Sequence, residues 1–228
     1  EFPSQDGPRK EVGFISVSAG DGLTHIFKEL GADIVIEGGQ TMNPSTEDIL
    51  EAVSKVNADT VFVLPNNSNI ILAANQAKEL TDDKDLVVIQ TKNIPQGIAA
   101  MLQYIEGNSV GENEKSMCEA AGQIKSGQVT YAVRDTSVNG KDIKQGDIMG
   151  LSDKTIEVVG NNIKDTAVAL AQKLMSDDTE LITLYYGEEA TEEEAMEIAD
   201  AIREQKDAVE VEVEYGGQPI YYYFLSLE

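Results

Sequence analysis

The chain has 228 residues, 41% of them hydrophobic and 25% charged, enough for one large globular domain or two small ones. Its formal net charge of −24 opposes a nucleic-acid or anionic-membrane partner, since both surfaces would repel it. The acidity fits either a well-solvated surface or a face that steers a basic partner.

From residue 11 the sequence alternates as a parallel sheet requires. EVGFISVSAG (11–20) reads as a strand, LTHIFKELG (23–31) as a helix and DIVIEG (33–38) as a strand. PSTEDILEAVSKV (44–56) is a helix with Ser45 as N-cap and Asp48 three residues on, a capping-box spacing. TVFVLP (60–65) is continuously apolar, the pattern of a strand buried on both faces. Ile70, Ala73, Ala74 and Ala77 then repeat at helical spacing. DLVVIQ (85–90) makes a fourth strand and IPQGIAAMLQYI (94–105) a further helix.

After Gly107 the pattern changes. ENEKSMCEAAGQIKSG (112–127) is helical, and VTYAVRDTSV, KQGDIMGL and TIEVVG follow as short β segments, with Asn139-Gly140 suited to a tight hairpin turn. A helix over 162–175, a strand over 180–187 and a helix over 191–205 come next, the last with the capping box Thr191–Glu194. In VEVEVEY, Val209, Val211, Val213 and Tyr215 alternate with glutamates, so one face is expected to be buried and the other wet. Gly216-Gly217 leads into a last, aromatic strand. The expected organisation is a linker over 1–10, a doubly wound parallel α/β subdomain over 11–107 and an α+β subdomain with a mixed sheet over 108–228. The opening EFPSQDGPRK lacks methionine and reads as a linker, so the chain is expected to be a piece of a longer protein.

Cys118 sits on an apolar helix stripe and His25 has no second histidine or cysteine to complete a zinc site. No apolar run approaches membrane-spanning length, and no signal-peptide pattern is present, so a cytoplasmic chain with no direct membrane insertion is expected. The loops that start the helices are the places to look for a ligand. Ser18 and Asp21 lie in SAGDG, which has neither Walker nor dinucleotide spacing. Thr41 precedes the second helix, and Asn66, Asn67 and Ser68 precede the third. All these side chains except Asp21 are neutral, with no cation for a phosphate and no activated nucleophile; helix capping accounts for any one of them. Arg134 and Asp135, adjacent in a β segment, suggest a fixed contact or a structural ion pair, and Tyr222 belongs to a tyrosine run whose default role is packing with hydroxyls at a polar edge. No catalytic constellation emerges.

TMNPSTEDILEAV, VFVLPNNSNIILAANQAKEL and DLVVIQTKNIPQGIAAML resemble successive segments of the DegV family of bacterial fatty-acid-binding proteins, and VEVEYGGQPIYYYFLSLE resembles the end of that fold. GQVTYAVRDTSVNGKDIKQGDIMGL is similar to the C-terminal region of the bacterial fatty acid kinase catalytic proteins, whose ATP domain is related to dihydroxyacetone kinase. The resemblance implies a DegV-like fold in a non-catalytic domain that binds no cofactor itself. It would dock a separate DegV-type acyl carrier while its own N-terminal kinase domain, outside this sequence, uses ATP and magnesium to phosphorylate the fatty-acid carboxylate. It leaves room for a homodimer through the full-length protein. The alternative is a module that itself binds a fatty acid or another small carboxylate. The DegV head-group contacts resemble a Thr-Ser, a Ser-Ser turn and a histidine near the last strand. Here they read Thr41-Met42 and Asn66-Asn67-Ser68, with no histidine in GGQPIYYYF. Burial of an acyl chain contributes about 0.8 kcal/mol per methylene, but only where a tunnel exists.

Overall fold

A computed structural model describes residues 7–39, 42–138, 141–153, 155–206 and 208–228. The Asn139-Gly140 turn and Thr41 lie outside these residues. The chain divides into two compact units, Glu1–Gln123 and Ile124–Glu228.

The first unit runs β1 (Lys10–Ser18), α1 (Asp21–Glu29), β2 (Ile34–Glu37), α2 (Thr46–Lys55), β3 (Ala58–Leu64), α3 (Ser68–Leu80), β4 (Asp85–Val88), α4 (Ile94–Leu102) and α5 (Val110–Gln123). Its four strands are all parallel in the order β2-β1-β3-β4, with Phe14 opposite Phe62 and Ile15 opposite Ile34. One face of the sheet packs Ile15, Val17, Val61 and Val63 against Ile49 and Val53 of α2 and Ile70, Ala74 and Ala77 of α3. On β1 and β3 the alternate positions hold Phe14 and Phe62, stacked at 5.6 Å, with the Tyr104 ring edge-on to Phe14 at 4.8 Å. Both faces of β3 are therefore covered, which is why its sequence is an unbroken apolar run.

Local chemistry fixes the helix ends. The Ser45 hydroxyl accepts from the Asp48 N–H at 3.2 Å and the Asp48 carboxylate accepts from the Ser45 N–H at 2.7 Å, so two N-terminal donors of α2 are satisfied reciprocally. At its other end, the Lys84 ammonium donates to the carbonyls of Val53 (2.7 Å) and Val56 (2.5 Å). Lys84 thus closes α2 electrostatically as well as by hydrogen bonding. Burial lowers the pKa of Lys84.

The boundary between the units falls later than residue 107 because α5 is tied to the first unit. Asn113, 1% exposed, accepts from the Ile105 N–H at 3.0 Å and donates to the Ile105 carbonyl at 3.0 Å. The expected linker also ends sooner: Lys10 already pairs with β3, and its N–H donates to the Asn57 carbonyl.

The second unit contains β5 (Lys125–Tyr131), β6 (Thr136–Val138), β7 (Lys141–Ile143), β8 (Ile148–Ser152), β9 (Thr155–Gly160), α6 (Ile163–Leu174), β10 (Leu181–Tyr186), α7 (Glu192–Arg203), β11 (Glu210–Tyr215) and β12 (Tyr223–Leu227). Six strands form a mixed sheet, β11-β10-β12-β5-β8-β9, parallel only between β10 and β11; β6 and β7 form a separate antiparallel pair. Tyr223, Leu225 and Leu227 of β12 join Leu184, Leu170, Ile198 and Ile202 in one core. Edge strand β11 keeps Glu210, Glu212 and Glu214 in water while Val209 and Val211 are buried. Tyr215 departs from the expected alternation: it is 42% exposed, with its ring 5.2 Å from that of Tyr186. Among the described residues no helix is long and apolar enough to cross a membrane.

Candidate functional site

In the first unit the strand order reverses direction between β1 and β3, and the loops beyond their carboxyl ends form the switch point where ligands of open α/β sheets bind. Asn66 occupies that position. Its backbone is left-handed (φ 53°), a conformation that asparagine tolerates better than most side chains. This turn sends the side chain back under the sheet edge, where it is 7% exposed. The amide nitrogen donates to the Ser16 hydroxyl and to the Val17 carbonyl, both at 2.9 Å, and the backbone N–H donates to the Thr91 hydroxyl at 3.1 Å. The carbonyl partner fixes which end of the amide is the donor.

Helix α4 closes over this group. A Cβ on Gly97 would lie 2.1 Å from the Asn66 side-chain oxygen, so only glycine lets the helix backbone approach so closely. Asn93 caps α4 by accepting from the Gln96 N–H at 3.0 Å. Asn67 caps α3 by accepting from the Asn69 N–H at 2.9 Å, and its amide donates to the Gly39 carbonyl at 2.6 Å, which joins the loop after β2 to the start of α3. Ser68 begins α3 and is half-buried. Ser18, 1% exposed, ends β1; neither its hydroxyl nor the Asn66 side-chain oxygen has a hydrogen-bond partner among the described residues.

The structure therefore brings Ser18, Asn66, Asn67 and Ser68 to one sheet edge, and adds Ser16, Thr91 and Gly97. Serines at alternate positions of FISVS carried the signal for the first of these, since a polar residue in a buried strand needs a partner. Asp21 starts α1 instead and accepts from the Gly22 N–H at 3.0 Å on the exposed surface. Every side chain in the network is neutral, so it holds no base for proton transfer and no cation for a phosphate. Among the described residues no three His, Cys, Asp or Glu side chains converge to hold a metal ion. Cys118 is half-buried and burial raises its thiol pKa, the opposite of an activated nucleophile. His25 is exposed beside Glu29, 3.1 Å away on the same helix.

The remaining candidates belong to the second unit. Arg134 and Asp135 are exposed and lie between β5 and β6, not inside a strand, because the chain leaves the sheet after Tyr131. No ion pair joins them; the Asp135 carboxylate accepts from the Gln145 N–H at 2.8 Å and ties down the loop before β8. Tyr222 precedes β12, its ring 6.0 Å from that of Tyr131, and burial first, then Glu189, raises its pKa.

The family of fatty acid kinase A-like C-terminal domains (FakA-like) matches residues 13–228. The chain belongs to that family. Protein YloV of Bacillus subtilis is 47% identical over 220 residues, covering 96% of this chain and 40% of its own length. The chain thus spans about two-fifths of the curated relatives it matches. Among solved structures, the linoleic-acid-loaded Fak B3 protein of Streptococcus pneumoniae superposes with a TM-score of 0.65 at 11% identity, over 96% of this chain and 99% of its own. Dihydroxyacetone kinase of C. freundii, in complex with AMP-PNP and Mg2+, gives 0.65 at 13% identity, over 97% of this chain and 49% of its own. The DegV family protein Cg2579 of Corynebacterium glutamicum gives 0.63 at 16% identity over 97% of both chains, so the fatty acid kinase A-like C-terminal chain is DegV-like in fold.

Proposed function

We propose that this chain is the non-catalytic C-terminal domain of a fatty acid kinase and that it docks the separate acyl-binding DegV-type carrier. The kinase domain of the whole protein, in the cytoplasm, would then phosphorylate the presented carboxylate with ATP and magnesium, forming an acyl phosphate for phospholipid synthesis. In this reading the nucleotide and its metal belong to the kinase domain outside this sequence. The observation that carries the reading is the Asn66 amide. It occupies the ligand position of the fold and spends both donors on the protein's own Ser16 and Val17. A domain that keeps the carrier's fold while filling the carrier's ligand position suits partner recognition better than ligand storage. Homodimerisation would come through the full-length protein.

Calorimetric titration of the chain with an acyl-loaded DegV-type carrier from the same genome tests this. Association at micromolar protein is expected, at a rate that falls with salt if the net charge of −24 steers it. No association at that concentration overturns the docking reading.

The second reading, direct binding of a fatty acid or small carboxylate, is favoured by the unpartnered Ser18 hydroxyl and Asn66 oxygen. Only the hydroxyl can donate to an anion, and the amide oxygen repels one. Native mass spectrometry after mild purification would show added lipid mass; a clean protein mass removes this reading.

A further inference from the structure

The second unit holds a pocket of about 300 Å³ that the switch point does not account for, at the lower end of the size range of ligand sites. It opens where α6 and α7 begin. Tyr223, 1% exposed, forms part of its lining, and its hydroxyl takes part in no hydrogen bond among the described residues. The hydroxyl is not one of the sealed, unpartnered polar atoms of the described residues, so it reaches the open pocket, where it can meet water or a ligand. Burial and the Glu194 carboxylate both hold the Tyr223 phenol neutral, so its oxygen accepts and its proton donates.

The walls and rim differ in chemistry. Ile163, Ala190 and Ile198 supply apolar wall, while Glu189, Glu194 and Glu197 bring three carboxylates to the rim against the single ammonium of Lys164. Lys164 is already committed to Glu197 at 3.1 Å, and one Glu194 oxygen is held in the capping box by the Thr191 N–H and hydroxyl. Glu189 lies in the turn before α7, and no ion pair claims it among the described residues. An anion would face this acidic excess. A cation with an apolar stem suits every part: the stem lies along the aliphatic wall, as long basic side chains do when their heads stay polar. A guanidinium presents several donors in one plane, so it can serve a phenol oxygen and a carboxylate together where an ammonium is a point charge.

We propose that this pocket receives an arginine side chain of the partner protein, with Tyr223 and Glu189 as its hydrogen-bonding groups and Lys164 as an internal competitor. The proposal rests on the docking reading above and names the place on the second unit where the partner engages. Charge complementarity to a chain of net −24 is what commits the occupant to a basic residue of another protein.

Binding of the acyl-loaded carrier is measured by calorimetry for the unaltered chain and for Glu189→Gln, Tyr223→Phe and Lys164→Gln. Glu189→Gln and Tyr223→Phe are expected to weaken binding about five- to tenfold, the scale of one lost charged or polar contact. Lys164→Gln is expected to tighten it about threefold by freeing Glu197. A gain of affinity cannot come from misfolding. Weaker binding by Lys164→Gln would mean that the pocket takes an anion and would overturn the proposal. If the unaltered chain binds and no variant differs, the partner engages elsewhere: the docking reading stands and this one falls. A second arm needs no carrier: N-acetyl-arginine amide is titrated to tens of millimolar against the tyrosine ring resonances. A Tyr223 shift that Glu189→Gln abolishes supports the site, and no shift overturns it even where carrier binding also fails.

Discussion

The two units place polar groups under their sheets in opposite ways. In the first, Asn66 turns its amide inward and uses up its donors on Ser16 and Val17, with Gly97 pressed against it. In the second, Tyr223 sits just as deep, yet its hydroxyl meets no described partner and lines a pocket. The Asn66 amide nitrogen is therefore committed, its oxygen alone being left over, whereas the Tyr223 hydroxyl is wholly available. Burial alone does not mark a functional residue; what decides is whether its hydrogen-bonding capacity is already spent.

The largest expected effect separating the units is alkaline. Seven of the eight tyrosines, all but Tyr104, belong to the second unit, and burial raises the pKa of Tyr185 and Tyr223 well above the ordinary tyrosine value. A raised phenol pKa contributes stability that is complete below the unfolded value of about 10 and is lost as pH climbs through the folded one. Hydrogen exchange resolved by segment should show the second unit opening first above pH ~10, and simultaneous opening would count against the contrast. Asn66→Ala should destabilise the first unit by about 3 kcal/mol, combining lost buried hydrogen bonds with a left-handed backbone that alanine resists. Asn66→Gly, which accepts that backbone, should cost about 1 kcal/mol less; equal losses in denaturant melts would show that φ is unimportant there. Gly97→Ala pushes a methyl into the Asn66 oxygen and should cost about 2 kcal/mol. Thr191→Ala removes a capping box and should cost about 1 kcal/mol, as should Ser45→Ala in the other unit. Tyr223→Phe comes last: deleting a hydroxyl without a partner should change the melting free energy by less than about 0.5 kcal/mol. A larger loss would reveal a structural partner and erase the distinction drawn here.

The parallel half was legible because its signals are local. Four apolar runs, each followed by an amphipathic segment, specify strand and helix, and Ser45-x-x-Asp48 marks a helix start within four residues, as Thr191-x-x-Glu194 does in the second unit. What sequence could not locate depends on groups far apart in the chain. The Asn66 network joins residues 16, 17, 66, 91 and 97, and only the switch-point geometry says that they meet. The DegV and fatty acid kinase resemblance drew attention to the turn at Asn66 and Asn67, although not to the contacts of the Asn66 amide with Ser16 and Val17. The assignment of α5 failed for a similar reason, since the Asn113 contacts to Ile105 carry no periodic signature. Tyr223 gave no signal beyond an aromatic run. Its neighbours Tyr221 and Tyr222 look identical in sequence, and they differ only in what each ring touches.

Edge strand β11, with Glu210, Glu212 and Glu214 facing water, has a consequence for handling the protein. An unpaired edge invites another strand, and three like charges in a row make self-pairing electrostatically unfavourable. That safeguard is purely electrostatic. High salt screens the row while the backbone donors and acceptors of the edge remain. The protein's colloidal weak point is therefore concentrated salt, where the repulsion that keeps copies apart fades and the edge stays exposed.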